Sequence, residues 1–525
     1  MLSVDARMRI VAIASFMFVL AAVSLVEAAI PGQRHYALVV GHNQSDDANL
    51  PPLRYADDDA IRYFELFQLI ADEAHLLTTP DTETARLHPG FLAPEPTREA
   101  LLEQLHTLRD AMAADQARGI HPVLTFVYSG HGSYDDDGSG FLYLADGVFT
   151  TRDLYSEVLG PNRDATVVLI IDACNAALLV HSRGPGGSDR VASEPSLMRL
   201  ENFPNVGVIL SSSTVGEVHE WGRYLAGIFS HEVRSALLGP GDLDGNGHVT
   251  FAELAAFVAA ANDQVDNPTI RLNPYIRPPL NRPDFPLIDL AATPFPVRLQ
   301  IDTAEAVRGH VLDAQLVRYL DYHADPGGPF EIGMVDSHQD WVLVAGGQEW
   351  VIPRGTEGIV RLSELTPEPM SQIAARSVTS GYFEKTLFKQ PTSTRFAQEF
   401  LEDSYLPSLI VERPVLVPWY ENQLAWGLVG SGFAAATVGA GFTWMANEAH
   451  EEALAATTHP ARIAANDTLV EAQLTSAILY GVGATALAGG VLTFLLDRQV
   501  TIDRYVPPIS IDFNGNGIRL RGAFH

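Results

Sequence analysis

Residues 33–265 alternate between apolar runs of strand length and amphipathic stretches of helix length. The runs are apolar at nearly every position, a pattern that predicts strands buried on both faces of a sheet. The predicted strands are 36–40, 124–128, 167–171 and 206–211, and the helical stretches between them include 57–71 and 98–114. Strands that alternate with helices predict an open, mostly parallel α/β sheet with helices on both faces.

A different pattern begins near residue 290, where apolar runs become shorter. Pro and Gly separate the runs at 297–301, 341–345, 350–352 and 358–362. Short strands with this punctuation predict a small β-rich domain over 290–415. Its histidines are scattered along the sequence, so we expect a scaffolding or recognition role for this domain.

Two long apolar segments follow, at 424–446 and 474–496, and neither contains a charged residue. Each is long enough to span a bilayer, and the many Gly and Ala residues would let two helices approach closely. We expect a two-helix transmembrane hairpin, followed by a C-terminal tail at 497–525. The alternative is a buried helical hairpin in a soluble protein.

The first 28 residues have the features of a secretory signal peptide. Two arginines precede an apolar stretch at 10–26, and Ala28 ends a cleavage motif of small residues. The alternative is an N-terminal membrane anchor. Export would place the following chain on the extracytoplasmic, periplasmic side of a bacterial-type cell envelope. With an exported N-terminus, the link at 447–473 would face the cytoplasm. The positive-inside rule gives this topology no support, because the link carries a single Arg.

Acidic residues outnumber basic residues by 64 to 34, which gives a formal charge of −30. Nucleic-acid binding requires a basic surface that contacts phosphates, so this balance argues against a nucleic-acid partner. The chain has one cysteine, Cys174, which excludes an intramolecular disulfide.

Cys174 and His131 each come just after a predicted buried strand. The carboxyl ends of parallel strands form the edge where an open α/β sheet carries its chemistry. If the two strands are neighbours, the imidazole can take the thiol proton and generate a nucleophilic thiolate. The alternative is an inert core thiol and an unrelated loop histidine.

The motifs around these two residues resemble those of the caspase–metacaspase clan of cysteine peptidases. Tyr-Ser-Gly-His-Gly at 128–132 is similar to the clan's histidine motif, and Asp-Ala-Cys at 172–174 is similar to the Asp-Ser-Cys of metacaspases. The resemblance covers about 33–265, and we expect the peptidase domain to occupy 33–285. Asn175 and Ala176 depart from the His-Ser that often follows the metacaspase cysteine.

The resemblance implies a cysteine endopeptidase that acts on peptide or protein substrates. Cys174 would attack the peptide carbonyl with His131 as base, and the backbone N–H groups of Gly132 and Cys174 would form the oxyanion hole. Asp172 would line the S1 pocket, which implies cleavage after Arg or Lys, with Asp46 or Asp47 as a second acid. By the same resemblance, the loop at 182–199 would correspond to the segment where caspase precursors are cut; the alternative is a plain surface loop. The alternative is a non-proteolytic, membrane-tethered binding or signalling module.

Residues 242–253 match the pattern of an EF-hand calcium loop in full. This pattern supplies oxygen ligands to Ca²⁺ at alternating positions and ends in a bidentate Glu. The expected ligands are Asp242, Asp244, Asn246, the backbone carbonyl of His248, Thr250 and Glu253. We therefore expect a regulatory or structural calcium ion; the alternative is an ordinary acidic turn.

Overall fold

The computed structural model describes residues 32–522, except for gaps at 46, 48–49, 136–137, 181–198, 212–219, 268–270, 326–329, 370–380, 407–408, 410, 417–421, 497–499, 506–508 and 515–516. The described residues form two compact units, one up to residue 409 together with the residues after 508, and one within 410–506. The predicted signal peptide and nearly all of the predicted loop at 182–199 lie outside the described residues.

The first part of the first unit contains thirteen strands within the described residues. They are β1 (Gln33–His42), β2 (Glu73–Thr78), β3 (His121–Gly130), β4 (Gly132–Tyr134), β5 (Gly140–Leu144), β6 (Gly147–Thr150), β7 (Thr166–Asp172), β8 (Val206–Leu210), β9 (Glu220–Trp221), β10 (Ala226–Gly227), β11 (His248–Thr250), β12 (Tyr275–Arg277) and β13 (Pro286–Asp289).

Helices connect these strands. They are α1 (Ala56–Ile70), α2 (Thr82–Leu87), α3 (Arg98–Gln116), α4 (Thr151–Asp153), which continues as a π-helical turn over Leu154–Leu159, α5 (Ala176–Val180), α6 (Ile228–Leu237) and α7 (Phe251–Asn262).

A six-stranded sheet in the order β12-β8-β7-β3-β1-β2 forms the centre of this region. All neighbouring pairs are parallel except β12 and β8, which are antiparallel at one edge. Smaller groups lie outside it, with β4, β5 and β6 forming an antiparallel sheet and β9–β10 and β11–β13 forming pairs. The predicted open, mostly parallel sheet is confirmed.

Both faces of the sheet are buried, which explains why its strands are uniformly apolar. Side chains along a strand alternate between the faces. In β1, Ala37 and Val39 join a core that includes α1, α6 and α7. Tyr36 and Leu38 join a second core, which includes α3. Helices therefore cover both faces, as predicted.

A β-rich region follows within the same unit. Its strands are β14 (Val297–Ile301), β15 (Arg308–Leu312), β16 (Arg318–His323), β17 (Phe330–Met334), β18 (Trp341–Ala345), β19 (Gln348–Ile352), β20 (Gly358–Arg361) and β21 (Glu368–Pro369). They form a β17-β14-β20 sheet and a β16-β15-β18-β19-β21 sheet. Two short helices follow, α8 (Gly381–Thr386) and α9 (Thr394–Phe400).

The β-rich region shares its core with the α/β sheet. Val233 and Ala236 of α6 belong to the same buried cluster as Leu299 and Leu320 of the β-rich strands. The contact is also polar, since His231 Nε2 of α6 lies 3.0 Å from the Asp321 carboxylate of β16. The β-rich strands therefore support the helix that lies against the central sheet.

The second unit contains two long helices, α10 (Gln423–Ala455) and α11 (His459–Leu496), and an antiparallel pair of strands, β22 (Val411–Leu416) and β23 (Val500–Tyr505). A Cβ atom on Gly432 of α10 would lie 2.8 Å from the Gly483 carbonyl of α11, so small residues set this close approach. Large apolar side chains such as Trp444 and Leu474 point outward. Both helices are candidate membrane spans by length and hydropathy.

The segment between these helices differs from the sequence prediction. The polar link predicted at 447–473 is mostly helical, and only residues 456–458 separate α10 from α11. Its many Ala and Glu residues are good helix formers, so the helices continue beyond their apolar parts.

A hairpin of β24 (Ile509–Asn514) and β25 (Gly517–Gly522) lies in the C-terminal tail.

Candidate active site

The predicted nucleophile and base lie at the same edge of the central sheet. β3 and β7 are neighbouring parallel strands, and Ser129 pairs with Asp172 where both strands end. His131 follows β3, and Cys174 lies in the turn beyond β7. Both side chains are buried, with exposed fractions of 5% and 7%.

The backbones of the two turns are in contact. A Cβ atom built on Gly132 would lie 2.4 Å from the carbonyl oxygen of Cys174 and 3.0 Å from the Ala173 side chain. Only glycine fits between them without displacing the cysteine turn. The Ser211 hydroxyl braces this turn from β8, because it accepts from the Ala173 N–H and donates to the Ala173 carbonyl.

A backbone carbonyl fixes the histidine ring. Nε2 of His131 lies 3.1 Å from the carbonyl oxygen of Pro51, and the edge of the ring faces Tyr143. A carbonyl oxygen can only accept, so Nε2 carries the proton and Nδ1 of the neutral ring is left as an acceptor. Burial lowers the pKa of His131 and favours this neutral form. Sequence reasoning missed Pro51 because a backbone atom leaves no residue signature.

The acid before the cysteine faces a second buried acid. Asp172 accepts from the Ser230 hydroxyl at 2.6 Å, and Asp59 accepts from the Gly227 N–H at 2.8 Å. A Cβ atom on Gly227 would lie 2.9 Å from Asp172 Oδ2 and 3.2 Å from Asp59 Oδ2. The two carboxylates therefore converge on one glycine, and the absence of its side chain leaves room between them.

Both acids and arginines lie around this pair. Burial, with Asp172 as a further cause, raises the pKa of Asp59 well above its usual range, although Arg234 lies 3.3 Å from its Oδ1. Burial also raises the pKa of Glu220, and Asp172 adds to this shift. A buried carboxylate whose pKa a neighbouring acid raises is stabilised as an ion by a cationic ligand.

The second acid differs from the two positions considered from the sequence. Asp46 lies outside the described residues, and Asp47 lies in the loop after β1, where its backbone N–H donates to Ser45. Asp59 is the acid beside Asp172. The Asp-Asp-Asp run at the start of α1 is buried rather than exposed to solvent, which the sequence alone does not indicate.

The calcium-loop residues lie in a turn between α6 and α7. Asp242, Asp244 and Glu253 each offer a carboxylate oxygen, and these oxygens all lie within 4.8 Å of one another. Gly245 and Gly247 have positive φ values of 72° and 86°, which the tight loop requires.

The other predicted ligands have structural contacts in this loop. Asn246 Oδ1 accepts from the His248 N–H, and Thr250 caps α7 by accepting from the Glu253 N–H. Burial raises the pKa of Asp242 to about 6 and that of Glu253 to about 8. Three converging carboxylates supply the oxygen ligands that a hard cation such as Ca²⁺ prefers.

Residues 34–265 match the family model of the caspase domain, Peptidase_C14. A solved structure of caspase-1 from Spodoptera frugiperda is 12% identical, covers 47% of this chain and 89% of its own, and has a TM-score of 0.29. The structure of pro-sf-caspase-1 is also 12% identical, covers 47% of this chain and 87% of its own, and has a TM-score of 0.28. No curated protein matches the chain significantly.

The family match and the sheet define residues 34–265 as a caspase-like domain of the cysteine peptidase type. Domains of this class act on peptide or protein substrates. The resemblance predicted from the two short motifs is therefore confirmed at the level of family and fold.

Proposed function

We propose that the caspase-like domain is a cysteine endopeptidase that cleaves after Arg or Lys, with Cys174 as nucleophile and His131 as general base. The observation that carries the proposal is the contact between the two turns, in which Gly132 lies against the Cys174 carbonyl. This contact brings a thiol and an oriented imidazole to one edge of the sheet.

The reaction follows from these groups. With Nε2–H held by the Pro51 carbonyl, Nδ1 of His131 takes the thiol proton, and the thiolate attacks the carbonyl carbon of the peptide. The N–H groups of Gly132 and Cys174 would donate to the resulting oxyanion. The imidazolium then gives its proton to the leaving amine. His131 next deprotonates a water, which hydrolyses the thioester and restores the thiol.

The acid pair supports the preference for a basic residue at P1. A guanidinium at Gly227 would lie beside both Asp172 and Asp59 and would favour the ionised form of Asp59, which burial disfavours. Charged hydrogen bonds to carboxylates are stronger than neutral ones, and Arg can make two of them at once. An acidic P1 residue would be repelled at the same place.

The test is cleavage of fluorogenic peptides that differ only at P1, with Arg, Lys, Leu and Asp compared at equal concentration. We expect cleavage after Arg and Lys and none after Asp, and complete loss of cleavage in Cys174→Ala. If Cys174→Ala retains cleavage, the proposed nucleophile is wrong. If no peptide is cleaved and a peptidyl electrophile fails to label Cys174, the non-proteolytic binding or signalling module is favoured.

We further propose that Asp242, Asp244 and Glu253 bind Ca²⁺, with Asn246, the His248 carbonyl and Thr250 completing the ligand set. The converging carboxylates support this proposal. The loop joins α6, which carries Ser230 and Arg234 beside the acid pair, to α7. Calcium would therefore brace the helix that holds the proposed S1 pocket, and a regulatory effect would act through the same helix.

We also propose that α10 and α11 form a transmembrane hairpin. Their outward apolar side chains and close glycine contacts support a hairpin surrounded by lipid. Two spans return the chain to its starting side, so the peptidase domain and the C-terminal tail would share one compartment, the periplasm in our proposal. Carbonate extraction of membranes tests it, since release into the soluble fraction would contradict a spanning hairpin.

A further inference from the structure

A cavity of about 450 Å³ lies in the first unit, between the β-rich region and the segment that follows β9. Its walls come from β15, β16, the β18–β19 turn and the residues around α8, with Tyr224 at the caspase-like side. Nothing in the proposed peptidase mechanism uses it. The volume is typical of a site for a small molecule.

Three basic and three acidic residues line this cavity, whereas acids outnumber basic residues by 64 to 34 in the whole chain. Arg308, Arg318 and Lys389 all line it, and Lys389 is one of the two lysines in the protein. The acids of the lining are Glu305, Asp321 and Glu384.

The cations differ in whether the protein neutralises them. Arg318 pairs with Asp321 at 2.9 Å, and Glu384, another lining acid, pairs with Arg223 outside the cavity. Among the described residues, Arg308 and Lys389 have no carboxylate within ion-pair distance. Burial, and next the charge of Arg308, lower the pKa of Lys389, so the two groups are close enough to repel each other. An anion between them would relieve this repulsion.

The remaining walls suit a small ligand with an apolar part. Val344, Phe383 and Leu387 supply apolar surface. Gly346 and Gly347 turn the chain between β18 and β19 with φ values of 56° and 80°, which leaves backbone rather than side chains at that wall. Peptide N–H groups without side chains in front of them are common donors to oxyanions.

We propose that this cavity binds a small ligand bearing a carboxylate or phosphate group, with the anionic group held between Arg308 and Lys389. Arg318 lies on the neighbouring strand β16, and its Nε is buried without a hydrogen-bond partner among the described residues. His310 lines the same space and is neutral, because burial lowers its pKa to about 3. An anionic group could interact with Arg308, Lys389 and the Arg318 Nε–H at the same time.

The cavity is connected to the proposed S1 pocket through α6. Tyr224 lines the cavity and stacks on His231 of α6, with ring centroids 3.6 Å apart. His231 contacts Asp321, and the neighbouring Ser230 donates to Asp172. A ligand in the cavity would therefore contact Tyr224, which packs on the helix that carries Ser230 beside the specificity acid. This consequence rests on the proposed function, whereas anion binding itself does not.

The binding experiment uses the full chain in detergent with Cys174→Ala, so that peptidase activity plays no part. Inorganic phosphate, pyrophosphate and citrate are titrated calorimetrically at constant ionic strength, which distinguishes phosphate from carboxylate ligands. We expect at least one of these anions to bind with a Kd below roughly 1 mM, the threshold that we take for a specific site. We expect Arg308→Ala and Lys389→Ala each to weaken it about tenfold or more.

The matched control is Lys385→Ala, which removes the other lysine, an exposed residue outside the cavity. It should leave the affinity unchanged, and all variants should melt at the parent temperature. The proposal is overturned if none of the three anions binds, or if Arg308→Ala and Lys389→Ala bind as tightly as Lys385→Ala. In the active protein, the bound anion should change KM for an Arg peptide; an unchanged KM would refute the link to α6.

Discussion

Replacing Asp172 by Asn removes one charge from the acid pair and retains an oxygen that can accept from the Ser230 hydroxyl. The carboxylate is 6% exposed and faces Asp59 across Gly227, so a P1 guanidinium would meet it largely without water. Losing one buried charged hydrogen bond should cost about 2–3 kcal/mol in transition-state binding. That corresponds to a roughly 30- to 150-fold lower kcat/KM for Arg peptides.

Asp172→Asn should not lose stability, although it loses activity. Asp172 is one of the causes that raise the pKa of Asp59, so its neutralisation removes a repulsion between buried carboxylates. We therefore expect Asp172→Asn to melt at the parent temperature or above it. An activity loss without a stability loss distinguishes a substrate contact from a structural role.

The assay measures kcat/KM for two peptides that differ only in Arg or Leu at P1. Asp172→Asn should lower the Arg value and leave the Leu value nearly unchanged. Asp110→Asn, an exposed acid of α3, serves as the control for charge removal alone. The reasoning is refuted if both peptides lose activity equally, or if Arg cleavage is unaffected.

Three further predictions concern the same domain. Gly132→Ala should lower kcat/KM for every P1 residue by about 100-fold or more, because its Cβ displaces the Cys174 turn and one oxyanion donor with it; an active variant would contradict the contact. In the pH profile of kcat/KM, activity should rise with pH at a midpoint below about 6.5, the usual pKa of histidine, because burial lowers the pKa of the base His131. A midpoint above that value would count against His131 as the base. Calcium should raise the melting temperature of the parent protein by several degrees, at roughly 2–4 °C per kcal/mol of binding. It should not raise the melting temperature of Glu253→Gln, and an equal rise in both proteins would place the ion elsewhere.

The parts of the fold that could be predicted are those whose physics is local. β3 and β7 are apolar at almost every position because both sheet faces are buried, and this pattern is readable without knowing the partners. The short strands β4 and β12, of three residues each, carry no such periodicity and depend on their neighbours. They were not predicted for that reason.

The same distinction holds in the candidate site. His131 and Cys174 could be proposed because each follows a recognisable strand and lies in a recognisable motif. Asp59 could not, since its contact with Gly227 spans 168 positions of sequence and depends on how α1 packs beside α6. The Pro51 carbonyl is a backbone group, and its role depends only on where the loop before α1 passes the imidazole.

The most direct test of the central claim is covalent labelling of the intact protein with a peptidyl electrophile that carries Arg at P1. The chain has a single cysteine, so one added mass identifies the nucleophile without ambiguity. We predict stoichiometric labelling by the Arg reagent, none by the matched Asp reagent, and none in Cys174→Ala. Equal labelling by both reagents would contradict the specificity pocket, and no labelling by either would contradict an activated Cys174.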